Sequence, residues 1–451
     1  MAFKSNVLLL FGGLFFLSFG FRNISLLLSK RRASKKYGCK PAFQVPQSET
    51  IIGYGLLKEQ LKAMDDKNVL GYMANRFRKY GNTFAAEMMG ESFIGTIEPE
   101  NIQAILVTKF DDFGIQGRKH AFGPLLGNGI FTSDGAQWRH SRALIRPSFV
   151  KSQISDLDIF ETHIQTLISL IPHNSDTVDL QPLFFRLTLD SATEYLFGKS
   201  VASLHNVDGP ERDFATSIDY ALSEIPRRYR FGRFNCFRRN KKFIEACKTV
   251  HDYVDPFVHA ALQGQPKDDK EKGRYTLLYE LAKATQDPIQ LRHELLNILV
   301  AGRDTTASLL SSVIFILARR PDVWAKLNAE VQRLGGKRPD YETLRQMKYL
   351  KYIVNEALRL YPVVPANSRY AVRNTTIPTG GGVNGKSPIF VIKGQIVMYS
   401  VMHLHRRKDI YGPDADEFKP DRWETLRAGW AYLPFNGGPR ICIGQQFALT
   451  E

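Results

Sequence analysis

Cysteine is scarce. The 451 residues hold four, Cys39, Cys236, Cys247 and Cys442, and none forms a CxxC pair. That argues against a disulfide framework and against a structural zinc site. It fits thiols kept reduced on the cytosolic side of a membrane. Acidic residues are in deficit, with 45 Asp and Glu against 61 Lys and Arg, a formal charge of +16. Such a surface favours anionic membranes, acidic protein partners or nucleic acid. No internal repeat is evident, so the chain does not read as a repeat array. What is present is ordinary globular material: 43% hydrophobic residues and 12% aromatics, in a length that allows one or two domains.

Residues 7–21 are apolar, Arg22 and Asn23 interrupt, and residues 24–28 resume the run. About 20 residues are needed to span a bilayer, and the run reaches that length if Arg22 snorkels or pairs. Lys30, Arg31, Arg32, Lys35, Lys36 and Lys40 follow, against Lys4 alone before it. That bias places the rest of the chain in the cytoplasm. A cleaved signal peptide is the rival reading, but no small-residue cleavage site precedes the basic cluster, so an uncleaved anchor is preferred. The division read from the chain is therefore an anchor with a basic flank over 1–36, a linker over 37–47 stiffened by Pro41 and Pro46, and one globular domain over 48–451.

The stretch on which the rest of the chain depends is Phe435-Asn-Gly-Gly-Pro-Arg-Ile-Cys-Ile-Gly444. A cysteine thiolate is an axial haem ligand that pushes electron density onto iron and favours O–O cleavage. The metal keeps such a thiolate deprotonated. Residues 445–449 read as helical, so Cys442 stands near a helix N-terminus, whose dipole favours an anion. Gly437, Gly438 and Gly444 let backbone approach a flat macrocycle. Arg440 suits a haem propionate, and Phe435 suits packing beside the thiolate. The plain alternative is a glycine-rich turn around an inert buried cysteine.

This segment resembles the haem signature of the cytochromes P-450, Phe-x-x-Gly-x-Arg-x-Cys-x-Gly, with every fixed position filled. Other segments follow in the family's order. Residues 288–320 form the longest helical pattern, with Asp287 as N-cap, Pro288 at N1 and Pro321 as stop. Within it, Ala301-Gly-Arg-Asp-Thr-Thr306 resembles the family's oxygen-activating helix. Gly302 clears room for a flat ligand, Thr305 offers a hydroxyl and Asp304 a carboxylate. Trp138 and Arg142 lie four apart on one helix face, like the family's W-x-x-x-R pair that reaches a propionate. Trp423 and Arg427 share that spacing, and only the position after residues 128–135 selects the first pair. Glu-x-x-Arg occurs six times, starting at 224, 271, 330, 342, 356 and 424. Order selects Glu356 and Arg359, which the resemblance locks to Arg422 in Phe418-Lys-Pro-Asp-Arg-Trp423. Arg369 is implied as a further propionate partner.

Residues 321–334 and 349–360 read as helices. Residues 389–392 and 395–399, joined by Lys393-Gly394, read as a hairpin. His403 and His405 are two apart, the wrong spacing for one helix face, and read as structural. Residues 224–242 carry eight Lys or Arg, four interleaved aromatics and no acid after Glu224. Nucleic acid, a loop on a membrane interface and a solvated basic face all fit; the anchor favours the membrane over nucleic acid. Residues 263–274 read as a charged linker.

The resemblance implies a mainly α fold with a minor β lobe. It implies haem b held by Cys442 as the metal ligand, with Arg440, Phe435, Trp138, Arg142, Arg369 and Gly302 around the cofactor. Thr305 and Asp304 are the implied proton relay. The implied partners are NADPH–cytochrome P-450 reductase, the membrane and an apolar small-molecule substrate, with no nucleic acid. The implied site is the endoplasmic reticulum membrane. In the family more chain follows the cysteine helix, so the sequence also reads as C-terminally truncated. Asp112-Phe-Gly-Ile-Gln-Gly-Arg-Lys-His-Ala121, Pro124-Leu-Leu-Gly-Asn-Gly-Ile-Phe131, the Ala301–Thr306 segment and Phe435–Arg440 resemble the fungal alkane- and fatty-acid-hydroxylating group. That implies terminal oxidation of a long chain, where one atom of O2 enters a C–H bond and the other leaves as water. The alternatives are a P-450 for another lipid or xenobiotic, a haem-thiolate isomerase or dehydratase, and a truncated non-catalytic product.

Overall fold

Glycine and proline punctuate this chain into helices, and the hydrophobic spacing of those helices decides what they bury. The computed structural model describes residues 28–47, 53–88, 90–150, 153, 155–172, 176–205, 208–231, 240–264 and 275–451. The apolar run at 1–27, most of the 263–274 linker and residues 232–239 of the basic stretch lie outside them. The chain divides into two compact units. One comprises Met1–Gly114, Ala366–Leu404 and Gly437–Pro439; the other comprises Ile115–Pro365, His405–Asn436 and Arg440–Glu451.

The first unit holds helices α1 (Tyr54–Asp65) and α2 (Val69–Tyr80) and all the named strands. These are β1 (Phe43–Gln44), β2 (Thr83–Met88), β3 (Glu91–Thr96), β4 (Phe113–Gly114), β5 (Asn367–Ala371), β6 (Thr375–Gly381), β7 (Ser387–Val391) and β8 (Ile396–Tyr399). Six of them make one sheet in the order β1-β2-β3-β8-β5-β4, and β6 and β7 make a second. The hairpin expected over 389–399 does not form. The chain does turn at Gly394, whose φ is +86°, but it passes from one sheet to the other. β7 pairs with β6 through Thr375↔Val391 and Ile377↔Ile389. β8 has both edges occupied, by β3 (Phe93↔Ile396) and by β5 (Arg369↔Val397). A central strand offers no free edge to its sequence neighbour, so local turn chemistry is overridden by longer-range pairing.

The second unit is helical. Its site is positioned by α3 (Lys119–Leu126), α4 (Gly135–Ile145), α5 (Leu180–Phe197), α6 (Pro210–Phe231), α7 (Lys241–Leu262), α8 (Pro288–Leu317), α9 (Pro321–Gln332), α10 (Lys348–Leu360) and α11 (Gln445–Thr450). α8 starts as its sequence dictates: Asp287 accepts hydrogen bonds from the Ile289 and Gln290 N–H groups, with Pro288 in the first turn. It stops three residues short of Arg320, because the residue before Pro321 is held out of the helical region. Among the described residues, α8 is the one helix long and apolar enough to cross a bilayer by length and composition. Here that composition serves a core: Leu291, Leu295, Leu296 and Leu299 are fully buried in the cluster shared with α5 and α7. The basic stretch expected as a loop is helical as far as Phe231. Within it, Arg228 turns inward, 4.3 Å over the Phe243 ring, and Arg227 pairs with Glu224 at 3.1 Å.

The cross-chain fastening of this unit is a buried carboxylate. Glu356 is 0% exposed and accepts five hydrogen bonds. Arg359 donates through Nε (2.8 Å) and Nη2 (2.8 Å). Arg422 Nε (3.0 Å), Trp423 Nε1 (3.0 Å) and the Lys419 N–H (2.9 Å) complete the set. Arg359, equally buried, spends its other N–H groups on the carbonyls of His405 (2.8 Å), Ala415 (2.5 Å) and Glu417 (3.0 Å). Removing one partner from such a cluster strands the others uncompensated, at a cost of about 3–5 kcal/mol. Glu356→Ala is therefore expected to lower stability by about that amount in equilibrium denaturation. A loss below about 1 kcal/mol would mean that water replaces the carboxylate at little cost.

Candidate functional site: the Cys442 loop and the Gly302 segment of α8

The loop that carries Cys442 is placed from behind. His405 is fully buried, with Nδ1 donating to the Arg359 carbonyl at 3.2 Å and Nε2 accepting from the Leu433 N–H at 2.8 Å. Burial, with Arg359 close by, pushes its pKa down to about 3, so the ring is neutral and can accept. Two residues on, the Phe435 carbonyl accepts from the Cys442 N–H at 3.0 Å, which closes the loop on itself. α11 follows directly, and Phe447 on it packs on Tyr195, Phe160 and Phe149 at ring separations of 4.8, 5.2 and 6.2 Å.

Cys442 is solvent-accessible, yet burial raises its thiol pKa. Two features oppose the burial: a hydrogen bond from the Gly444 N–H and the positive charge of Arg142. Arg142 belongs to the α4 cluster. Trp138 is buried, with the Arg142 guanidinium 6.0 Å and the Arg440 guanidinium 4.3 Å from its ring centre. The structure thus brings together Cys442, Arg440, Arg142 and Trp138, which lie some three hundred residues apart in the chain. Arg440 also donates to Asp134 Oδ1 (2.6 Å) and the Ser133 carbonyl (3.1 Å), an anchor that the sequence reading missed. Arg369 belongs to the other unit, where it is buried on β5 and donates to Asn367 Oδ1 (3.1 Å) and the Ser368 carbonyl (2.8 Å).

One glycine assignment changes. Gly438 was expected to make room for a macrocycle. Its φ is +71°, and a Cβ there would fall 2.0 Å from the Leu106 carbonyl oxygen, so the backbone approach it permits is to Leu106. At Gly302, apart from its own helix backbone and chain neighbours, no atom lies within 4 Å of where a Cβ would be. Thr305 donates its hydroxyl proton back to the Ala301 carbonyl at 2.6 Å. Asp304 is paired with Arg303 at 3.0 Å, and desolvation outweighs that pairing to raise its pKa. Trp423, the rival to Trp138, is committed to Glu356, and Arg427 donates to the Glu424 and Leu426 carbonyls. Other missed residues are Arg303, Asp219 and Glu451, whose buried carboxyl near Thr306 and Ser191 is raised to about 8. A charged Arg303 inside an apolar helix was the visible signal for the first. Among the described residues, no group of three or more His, Cys, Asp or Glu is placed to hold a metal. A single thiol facing the Arg142 guanidinium, with Arg440 on the same Trp138 ring, instead suits an anionic group bound through one thiolate.

The family model for cytochrome P450 matches residues 44–451. The chain belongs to the cytochrome P450 family, and it is a cytochrome P450 monooxygenase, an oxidoreductase. The family uses haem with a cysteine thiolate on the iron. Among its relatives, cytochrome P450 monooxygenase himC of Aspergillus japonicus is 45% identical, over 92% of this chain and 76% of the relative. Cytochrome P450 52A5 of Candida maltosa is 46% identical, over 90% of this chain and 82% of the relative. Cytochrome P450 52A12 of Debaryomyces hansenii is 44% identical, over 92% and 85%.

The neutral state of His405 has a pH consequence. The unfolded chain takes up a proton near pH 6.5 that the folded chain refuses until about pH 3. Stability is expected to fall as pH drops through that window, by about 1.4 kcal/mol per unit from this group. In His405→Gln, proton uptake on unfolding between about pH 4 and 6 should be smaller by about one proton. An unchanged slope would show that His405 does not contribute.

Proposed function

We propose that the chain hydroxylates long apolar chains, n-alkanes or fatty acids, at or near the terminal carbon. The observation that supports this substrate class is the resemblance of residues 112–121, 124–131, 301–306 and 435–440 to the fungal alkane- and fatty-acid-hydroxylating P-450s. In this reading Cys442 is the only protein ligand to iron. Arg142 and Arg440, gathered on Trp138, neutralise the propionates. Haem, when bound, supplies the oxidising chemistry, and the protein supplies binding, orientation and protons. Thr305 keeps an oxygen lone pair for an incoming donor, because its own proton goes to the Ala301 carbonyl. It can therefore orient a water in the space beside Gly302. Asp304 lies about 100° away round the helix and replenishes that water's proton. Its raised pKa favours a carboxyl that holds a proton more readily than a free aspartate.

The domain is proposed to face the cytosol from the endoplasmic reticulum membrane, anchored by the apolar run over 7–28. Electrons are proposed to come from NADPH–cytochrome P-450 reductase, to which a +16 chain offers a basic surface.

Two measurements test the reading. Cys442→Ala should abolish the thiolate-type spectrum of the reduced carbon monoxide complex; persistence of that spectrum would remove Cys442 as ligand. Dodecane and lauric acid should shift the resting haem toward high spin, and sterols should not. A response to sterols alone would move the chain to a different substrate class.

A further inference from the structure

Between Gly302 and Thr305 stands Arg303, with a side chain 6% exposed. A guanidinium buried in an apolar helix needs partners, and this one has two carboxylates. Nη1 donates to Asp304 Oδ1 at 3.0 Å, and Nη2 pairs with Asp219 Oδ1 on α6. Its position is fixed from a third helix. The Phe185 ring of α5 lies 5.2 Å from the guanidinium, and Thr188 of α5 donates to the Arg303 carbonyl at 2.9 Å. Two carboxylates on two nitrogens of one planar fork is a geometry that arginine provides and a lysine ammonium does not.

We infer that Arg303 is a positioning residue that holds the Asp304 carboxylate, and that Asp219 on α6 sets how tightly it does so. The inference rests on the reading of Asp304 as a proton supplier. The field at Asp304 is the sum of both charges, so a second carboxylate on Arg303 offsets part of the attraction that Arg303 exerts there. Asp219 also places its own negative charge near Asp304. The charged groups that face Asp304 are Arg303 from α8 and Asp219 from α6, while α5 presents the Phe185 ring to the guanidinium and the Thr188 hydroxyl to the Arg303 carbonyl. Asp219 is 57% exposed and Arg303 is not, so the α6 arm of the bridge is the one open to adjustment. Displacing Asp219 leaves Arg303 to Asp304 alone. The carboxylate is then gripped harder and gives up its role as a proton carrier. The bridge therefore ties the relay residue on α8 to the position of α6.

The test uses the haem-loaded full chain and begins without turnover. The infrared carboxyl band of Asp304, identified by its loss in Asp304→Asn, is titrated with pH. Asp219→Asn, a change at a half-exposed site that leaves the core untouched, should lower the midpoint by about one pH unit, tenfold in acid constant. In Arg303→Lys the midpoint should rise, and adding Asp219→Asn should then shift it by less. Equal midpoints in the wild type and Asp219→Asn overturn the inference, as does an undiminished shift in the lysine background. During turnover, Asp219→Asn should raise the share of NADPH that ends as hydrogen peroxide while leaving the substrate-induced spin shift in place. If Asp304→Asn and Thr305→Ala both leave coupling unchanged, the relay reading fails. The infrared midpoints still decide the bridge by themselves.

Discussion

One carboxylate, Glu356, carries the constraint on which the arrangement behind the cysteine loop depends. Charged groups leave water at a cost of several kcal/mol each, and a buried cluster persists when every lone pair and N–H is used. Glu356 meets that condition with five donors. They come from two distant segments, α10 and residues 419–423. Arg359 extends the same cluster to three backbone carbonyls between His405 and Glu417. His405 then passes the constraint to Leu433, ahead of the cysteine loop. The loop is therefore held through a chain of buried hydrogen bonds as well as by its own Phe435–Cys442 closure.

The electrostatics at Cys442 and at Asp304 follow one rule. Each sits where burial favours the neutral form. Each is opposed by a nearby guanidinium, Arg142 in one case and Arg303 in the other. For the thiol, the Gly444 N–H and Arg142 lower the barrier to an anion without removing it; in the proposed haem-bound state a metal cation would complete the deprotonation. For the carboxyl, the balance leaves a group that holds a proton more readily than a free aspartate does. Burial supplies the shift, and a placed cation limits it.

The residues with a strong local signature were legible. Asp287 and Pro288 announce the start of α8, because a cap is a contact between residues two or three apart. The cysteine segment was readable because five residue types are fixed within ten positions. Glu356 was selected from six equivalent Glu-x-x-Arg matches by order alone, and its partner Arg422 came with it. Trp423 and the Lys419 N–H were invisible, since nothing local says where an indole or an amide will point. The hairpin over 389–399 was misread for the same reason: its turn is real, but β6, β3 and β5 supply the pairing.

The sequence by itself determined the family, the start of α8 and the choice of Glu356 with Arg422 from among six like matches. These are matters of residue type and order, which local chemistry and chain direction fix. The tertiary structure decided which charges meet. Arg440 lies on Trp138 and Asp134, Arg228 is turned inward onto Phe243, Gly438 backs onto Leu106, and Arg303 is shared between Asp304 and Asp219. Apart from the adjacent Arg303 and Asp304, such pairings join residues from fifteen to more than three hundred positions apart. Their strength depends on burial and distance, and neither exists until the helices have packed.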